Sequence, residues 1–229
     1  DTVQRLIRAP EIGYVSFTGS VRGGRIVEES AAGRFIGVGL ELGGNDPAYA
    51  RADAKLDHAV ETLVDGAFFN SGQSCCGIQR IYVARPQYEE FVERAVALTN
   101  TYVLGNPLHA DTTLGPVVRA RAAADIREVI AEAVAAGAQN LIDPSHFQNA
   151  SKSSPYVAPA LLTRVNHRMR VMNDECFGPV VGIMPVDTDD EAVALMNDSP
   201  YGLTAAVFTQ DEDAALALGR QVRTGTFFM

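Results

Sequence analysis

Tyr14-Val15-Ser16-Phe17-Thr18-Gly19-Ser20-Val21-Arg22-Gly23-Gly24 reads as a short apolar strand running into a glycine loop. A helix-like run follows from Arg25 to about Ala32, and Phe35-Ile36-Gly37-Val38-Gly39-Leu40-Glu41 reads as the next strand. Strand, glycine turn, helix, strand is a βαβ unit, and it implies a parallel sheet. The loop is not GxGxxG. Its glycines at 19, 23 and 24 fit either a phosphate cradle or a tight turn, and the loop alone leaves both open. Outward from this unit the alternation continues. Helical spacing of Val60, Leu63, Val64, Ala67 and Phe68 predicts a helix over 56–69 with one buried face. Strands are expected at 78–83, 180–186, 203–209 and from Thr226 onward, and around Pro159 within 156–165. Helices are expected at 86–99, 119–136, 189–197 and 211–222. The class is therefore α/β with a largely parallel sheet. Gly43-Gly44 and Pro47 break the chain, which predicts a unit over 1–43 and another over 44–229. The segment 142–154 is expected to be a surface loop.

The 229 residues carry a net charge of −9, and 47% are hydrophobic. An acidic chain without a basic cluster is a poor binder of phosphate backbones, so nucleic acid is not an expected partner. No apolar run approaches the ~20 residues that span a bilayer, so no membrane partner is expected. Three cysteines without paired spacing point to free thiols in a reducing compartment, here read as the cytoplasm. Asp1 to Arg5 read as the middle of a helix and Thr226 to Met229 as the middle of a strand. The sequence is therefore expected to be a piece of a longer chain.

Phe68-Phe69-Asn70-Ser71-Gly72-Gln73-Ser74-Cys75-Cys76-Gly77 places two of the three thiols on a loop of small residues between a helix and a strand. A nucleophile needs to be held still and yet be reachable, and such a loop offers both. The usual partner of a nucleophilic thiol is histidine. His58, His109, His146 and His167 lie in no motif, and each reads as a surface or loop residue. Adjacent Cys75 and Cys76 cannot readily share one tetrahedral ion, and no C-x-x-C or H-x-x-H spacing occurs, so no metal site is expected. Two carboxylates are better placed. Glu41 ends an apolar strand, where α/β proteins bind ligands, or it is a solvated strand end. Asp174-Glu175-Cys176-Phe177-Gly178-Pro179 is a turn with an acid and a ring before a buried strand, or an ordinary loop. Cys176 reads as a buried structural thiol.

Taken together, these stretches closely resemble the aldehyde dehydrogenase superfamily over essentially the whole chain. Phe17-Thr18-Gly19-Ser20 with Gly24 resembles its cofactor loop, and Glu41-Leu42-Gly43-Gly44 its glutamate signature. Phe68 to Cys75 resembles its cysteine signature, with the reactive thiol two residues after Gln73. Glu175-Cys176-Phe177-Gly178-Pro179 resembles its E-x-F-G-P turn. Cys75 follows Glu41 by 34 residues, as in the family. The resemblance implies a three-layer α/β sandwich, truncated here, and NAD- or NADP-dependent oxidation of a small-molecule aldehyde. It makes Cys75 the nucleophile and Glu41 the base that activates water. It sets Gly19 and Ser20 at the cofactor's phosphates, makes Gly24 a further cofactor-binding residue, and puts Leu42 near the nicotinamide. Glu175 would hold the nicotinamide ribose, with Phe177 packed beside it. It also implies that the whole protein is a homo-oligomer. Asn45 departs from the lysine that often follows the double glycine. The side-chain amide that completes the family's oxyanion hole lies outside this sequence. Loss of one such donor typically costs ~10²–10³ in rate, so the 229 residues alone are expected to turn over poorly. The thiol also leaves two other classes open. One is a cysteine acyl-transfer enzyme or hydrolase without a nicotinamide. The other is a non-catalytic protein that keeps the fold.

Overall fold

A computed structural model describes residues 2–151 and 153–229. The chain forms two compact units, Asp1–Gly43 and Gly44–Met229.

In the first unit, β1 (Tyr14–Thr18) and β2 (Gly37–Glu41) pair in parallel, with Tyr14 opposite Gly37 and Thr18 opposite Glu41. Helix α2 (Val21–Ala31) connects them, and Ile7 of α1 (Thr2–Ile7) clusters with its Val27 and Ala31. The helix begins four residues earlier than the sequence suggests. Ser20 is its N-cap, and its hydroxyl accepts the Gly23 N–H at 3.2 Å. Gly23 and Gly24 therefore lie in the first helical turn rather than in a loop. Their missing side chains serve packing. A Cβ on Gly23 would come within 2.7 Å of the Phe17 ring, and one on Gly24 within 2.7 Å of Leu42.

The second unit is a seven-stranded sheet in the order β5-β6-β7-β4-β3-β8-β9. The strands are β3 (Asp46–Ala50), β4 (Ile78–Ala84), β5 (Gln139–Asn140), β6 (Ala160–Thr163), β7 (Val180–Val186), β8 (Thr204–Phe208) and β9 (Thr226–Phe228). Every pairing is parallel except that of the short β5 with β6. Side chains alternate across this sheet because the strand repeat is two. Ala48, Ala50, Ile81, Val83 and Ile183 point to one face and pack with α3 (Leu56–Phe68) and α4 (Arg85–Thr99). Tyr49, Tyr82, Ala205 and Val207 point to the other, toward α5 (Ala120–Ala135), α6 (Asp189–Asn197) and α7 (Glu212–Gly219). The result is the expected three-layer sandwich. Buried strands with both faces covered read as continuous apolar runs, which is why β4 and β7 were legible in the sequence.

Strand β3 was not legible, although it lies inside the sheet between β4 and β8 and is buried throughout. It begins with an acid and a proline. Pro47 is tolerated because the pairing with β4 slips there: Asp46 faces Ile78, but Pro47 faces Arg80. The segment 142–154 is also less peripheral than expected, since Ile142 and Phe147 anchor it in the core.

Candidate active site

Strands β3, β4, β7 and β8 run in the same direction, so the residues preceding each of them gather along one edge of the sheet. That edge receives Gly44-Asn45, Cys75-Cys76-Gly77, the Glu175 to Pro179 turn, and Tyr201-Gly202-Leu203.

The cysteine loop is built on an uncommon backbone. Asn70, Ser71 and Gly72 are all left-handed, with φ of 50°, 58° and 70°. Consecutive left-handed residues persist only where the surroundings hold them. Ser71 Oγ donates to the Gly115 carbonyl at 2.7 Å, and Asn70 Nδ2 to that of Gln73 at 3.0 Å. Gln73 answers with Nε2 on the Asn70 carbonyl at 3.0 Å, while its Oε1 accepts the Val118 N–H at 2.7 Å. Gln73 thus pins the loop to the segment before α5. Beyond it Cys75 and Cys76 are exposed, with Cys76 Sγ 3.4 Å from Ser74 Oγ. Partial burial, and then the neighbouring Cys76, push the Cys75 thiol above its ordinary pKa. The thiolate therefore needs help from whatever binds beside it.

The Glu175 turn packs directly on this loop. A Cβ on Gly72 would collide with the Gly178 carbonyl, so the two backbones touch. Phe177 is left-handed, with φ of 50°, and holds its ring partly in solvent. The Cys176 N–H donates to Gln79 Oε1 at 2.9 Å, and burial pushes the Cys176 thiol up to about 12. Burial also raises the Glu175 carboxyl. The backbone N–H of Gly44 opposes that rise, and the charge of Asp46 adds to it. Glu175 Oε1 is buried without a hydrogen-bond partner among the described residues.

Under the loop lies a polar layer that the sequence reading missed. Arg80 is 1% exposed and donates to the carbonyls of Asn45 at 2.9 Å, Leu195 at 3.1 Å and Met196 at 3.2 Å. Asn45 Nδ2 donates to Gln79 Oε1 and to the Asp174 carbonyl, both at 3.0 Å. The position where the family often has lysine is here a fully buried amide that ties β3, β4 and the Glu175 turn together. The signal for this layer was Gln79-Arg80, two polar residues inside an otherwise apolar strand. His167 also departs from expectation. It lies in a loop, but its ring is largely buried, with Nε2 2.9 Å from Tyr82 Oη and Nδ1 2.8 Å from Asp198.

The remaining site residues assemble within the first unit. The Gly19 N–H donates to the Glu41 carbonyl at 3.0 Å, which joins the ends of β1 and β2. Ser20 caps α2, Leu42 covers Gly24, and the Glu41 side chain is exposed. The predicted residues thus form two groups, Gly19, Ser20, Gly24, Glu41 and Leu42 in one unit and Cys75, Glu175 and Phe177 in the other. No group of three or more His, Cys, Asp or Glu that could hold a metal ion occurs among the described residues. None of their helices is long and apolar enough to cross a membrane.

Comparison with known proteins gives one answer. A family profile described as "Aldehyde dehydrogenase family" matches residues 1–229. The rat protein "Aldehyde dehydrogenase, cytosolic 1" is 37% identical over 220 residues, covering 96% of this chain and 43% of its own. Betaine aldehyde dehydrogenase from Staphylococcus aureus, solved with NAD+, superposes with a TM-score of 0.91 at 30% identity, covering 100% of this chain and 45% of its own. The NADP-dependent glyceraldehyde-3-phosphate dehydrogenase from Bacillus halodurans, solved with NADP, superposes at 0.91 with 35% identity, covering 99% and 46%. The chain spans about half the length of the relatives it matches.

Proposed function

The chain belongs to the aldehyde dehydrogenase family, and from that premise we propose that the whole protein oxidises an aldehyde to a carboxylic acid with NAD or NADP. The observation that carries the reading is the backbone contact between Gly72 and Gly178. It fastens an exposed thiol loop to a turn whose buried carboxyl has an unused acceptor oxygen.

The residues present fit a dinucleotide. The N-terminus of α2, capped by Ser20 next to Gly19, carries the partial positive charge that suits phosphate. Glu175 Oε1, buried and without a partner among the described residues, suits a ribose hydroxyl. In the family reading Leu42 lies near the nicotinamide, and Phe177 packs beside the ribose that Glu175 holds. When bound, the nicotinamide ring takes up the hydride that the substrate carbon releases.

Cys75 adds as a thiolate to the aldehyde carbonyl and forms a thiohemiacetal. The backbone N–H of Cys75 donates to the resulting oxyanion. Loss of hydride leaves Cys75 as a thioester. Glu41 then takes a proton from water, which attacks the thioester and frees both the acid and the thiol. Glu41 as base favours water over coenzyme A as the acyl acceptor. Cys76 lies one residue beyond the nucleophile's position and takes no part. Free thiols and the cytosolic relative support a cytoplasmic setting.

The test uses the full-length protein. NADH or NADPH formation from a panel of aldehydes identifies substrate and cofactor, and mass mapping after a burst should find the acyl group on Cys75. Ester turnover at equal rates with and without the dinucleotide would overturn the reading in favour of a simple thiol hydrolase.

A further inference from the structure

Asp46 opens β3 with its side chain 1% exposed, immediately after the residues that lead out of Glu41. One carboxyl oxygen, Oδ2, accepts from the Thr204 hydroxyl at 2.6 Å. The other, Oδ1, has no hydrogen-bond partner among the described residues. It lies 2.5 Å from the point where a Cβ on Gly44 would stand, and the carbonyl oxygen of Cys75 lies 2.8 Å from the same point. Gly44 is therefore the spacer that lets a buried carboxyl sit close to the peptide of the nucleophile. Both oxygens border the same space above the Gly44 α-carbon, and both are acceptors when Asp46 is ionised. A protonated carboxyl has an O–H to offer to that carbonyl.

We propose that Asp46 is a positioning residue for the Cys75 loop: by gaining or losing a proton it changes how the Cys75 peptide is held, and so how the thiol and its N–H are presented. The proposal rests on the reading of Cys75 as the nucleophile. Every element around Asp46 contributes to its state. From β8 the Thr204 hydroxyl and backbone N–H favour the carboxylate, and from β4 so does the Arg80 charge. Tyr201 and Arg223 line an enclosed space with Asp46 and Arg80. The carboxyl of Glu175, from the turn before β7, feels the charge of Asp46. Burial outweighs the favourable groups and pushes Asp46 up to about 6. The carboxyl therefore changes charge within the range in which thiol chemistry is measured. Its position also links two parts of the site, since Gly44 offers its N–H to Glu175 and its α-carbon to the gap between Asp46 and Cys75.

The experiment is alkylation of the full-length protein with iodoacetamide between pH 5 and 11, with the rate at Cys75 read by mass mapping. The wild-type rate should carry two steps, one from the thiol and one near pH 6 from Asp46. Asp46→Asn keeps the shape without the titration and should lose the lower step. Thr204→Val removes a hydrogen bond to the carboxylate and should move that step up by ~1 pH unit. A wild-type profile with the thiol step alone overturns the proposal. So does a lower step that survives Asp46→Asn or stays in place in Thr204→Val. Fast labelling at Cys76 with Cys75 inert overturns the nucleophile assignment, and this proposal with it.

Discussion

Gly72 and Gly178 meet backbone to backbone, where the cysteine loop and the Glu175 turn are pressed together. Gly72 also holds a φ of 70°, so the position forbids a side chain twice, by conformation and by contact. Each of the two motifs is short and would wander alone. Locked together, they hold a thiol and a buried carboxyl on one rigid edge.

Gly72→Ala should therefore cost more than an ordinary surface change. Left-handed strain of ~1–3 kcal/mol adds to the displacement of the Gly178 carbonyl. The expected result is a lowered urea midpoint, together with slower alkylation of Cys75 in the fraction that stays folded. A variant with wild-type midpoint and wild-type thiol reactivity would show that the contact is dispensable.

Cys75 and Cys76 should separate cleanly by substitution in the full-length protein. Cys75→Ser should abolish aldehyde oxidation, whereas Cys76→Ser should leave it near wild type and ease Cys75 ionisation, since Cys76 is one cause of the raised thiol pKa. Glu41→Gln should still form the thioester but release it ~10²–10⁴-fold more slowly. A pre-steady-state burst of NADH followed by a slow phase checks this.

Asp46 should make the protein less stable as pH rises through mild acid. Its folded pKa is about 6 against an ordinary 3.8. The folded state thus keeps a proton that the unfolded chain has already lost. Its contribution is greatest below 3.8, declines up to about pH 6 and is level above. The shift corresponds to ~3 kcal/mol. His167 works in the opposite sense. Burial, and then Arg80, hold its pKa below the ordinary 6.5, so its contribution is present at higher pH and lost as pH falls through the folded pKa. Asp46→Asn keeps His167, so the difference between the two stability curves isolates Asp46. That difference should move in favour of the variant by up to ~3 kcal/mol between pH 4 and 6.5.

Arg80 should be a large determinant of stability for the whole edge. Arg80→Met leaves the carbonyls of Asn45 and Met196 without their Arg80 donor in a buried site, while that of Leu195 keeps the Asp198 N–H and the Tyr82 hydroxyl. Each such orphan costs ~1–3 kcal/mol, so a loss of at least ~2 kcal/mol is expected. Arg80→Lys should recover only part of it, because an ammonium cannot reproduce the guanidinium fork. Urea unfolding with an unchanged m-value measures both.

The motifs around Glu41, Cys75 and Glu175 were readable because each is local. A residue type at a strand end, a loop of small residues and an E-x-F-G-P turn are written in consecutive letters. Helices α3 to α7 and strands β4, β7 and β8 were readable for the same reason, through apolar periodicity. Strand β3 was hidden by Asp46 and Pro47, which read as a break until the slip in pairing with β4 accommodates them. The start of α2 is not legible, because Gly23 and Gly24 look like loop residues until Ser20 is seen to cap the helix.

The sequence by itself thus determined the α/β class, the family resemblance and which thiol is the candidate nucleophile. Chemistry of that kind depends on residue identity and short spacing. Only the tertiary structure decided what supports the thiol: the Gly72–Gly178 contact, the buried Arg80 and Asn45 layer, and the space at Gly44 that Asp46 and the Cys75 carbonyl both border. Those partners stand up to 129 residues apart, as Asn45 and Asp174 do. Parallel pairing brings their strand starts to one edge, and burial there makes Arg80 find partners and shifts the charge of Asp46.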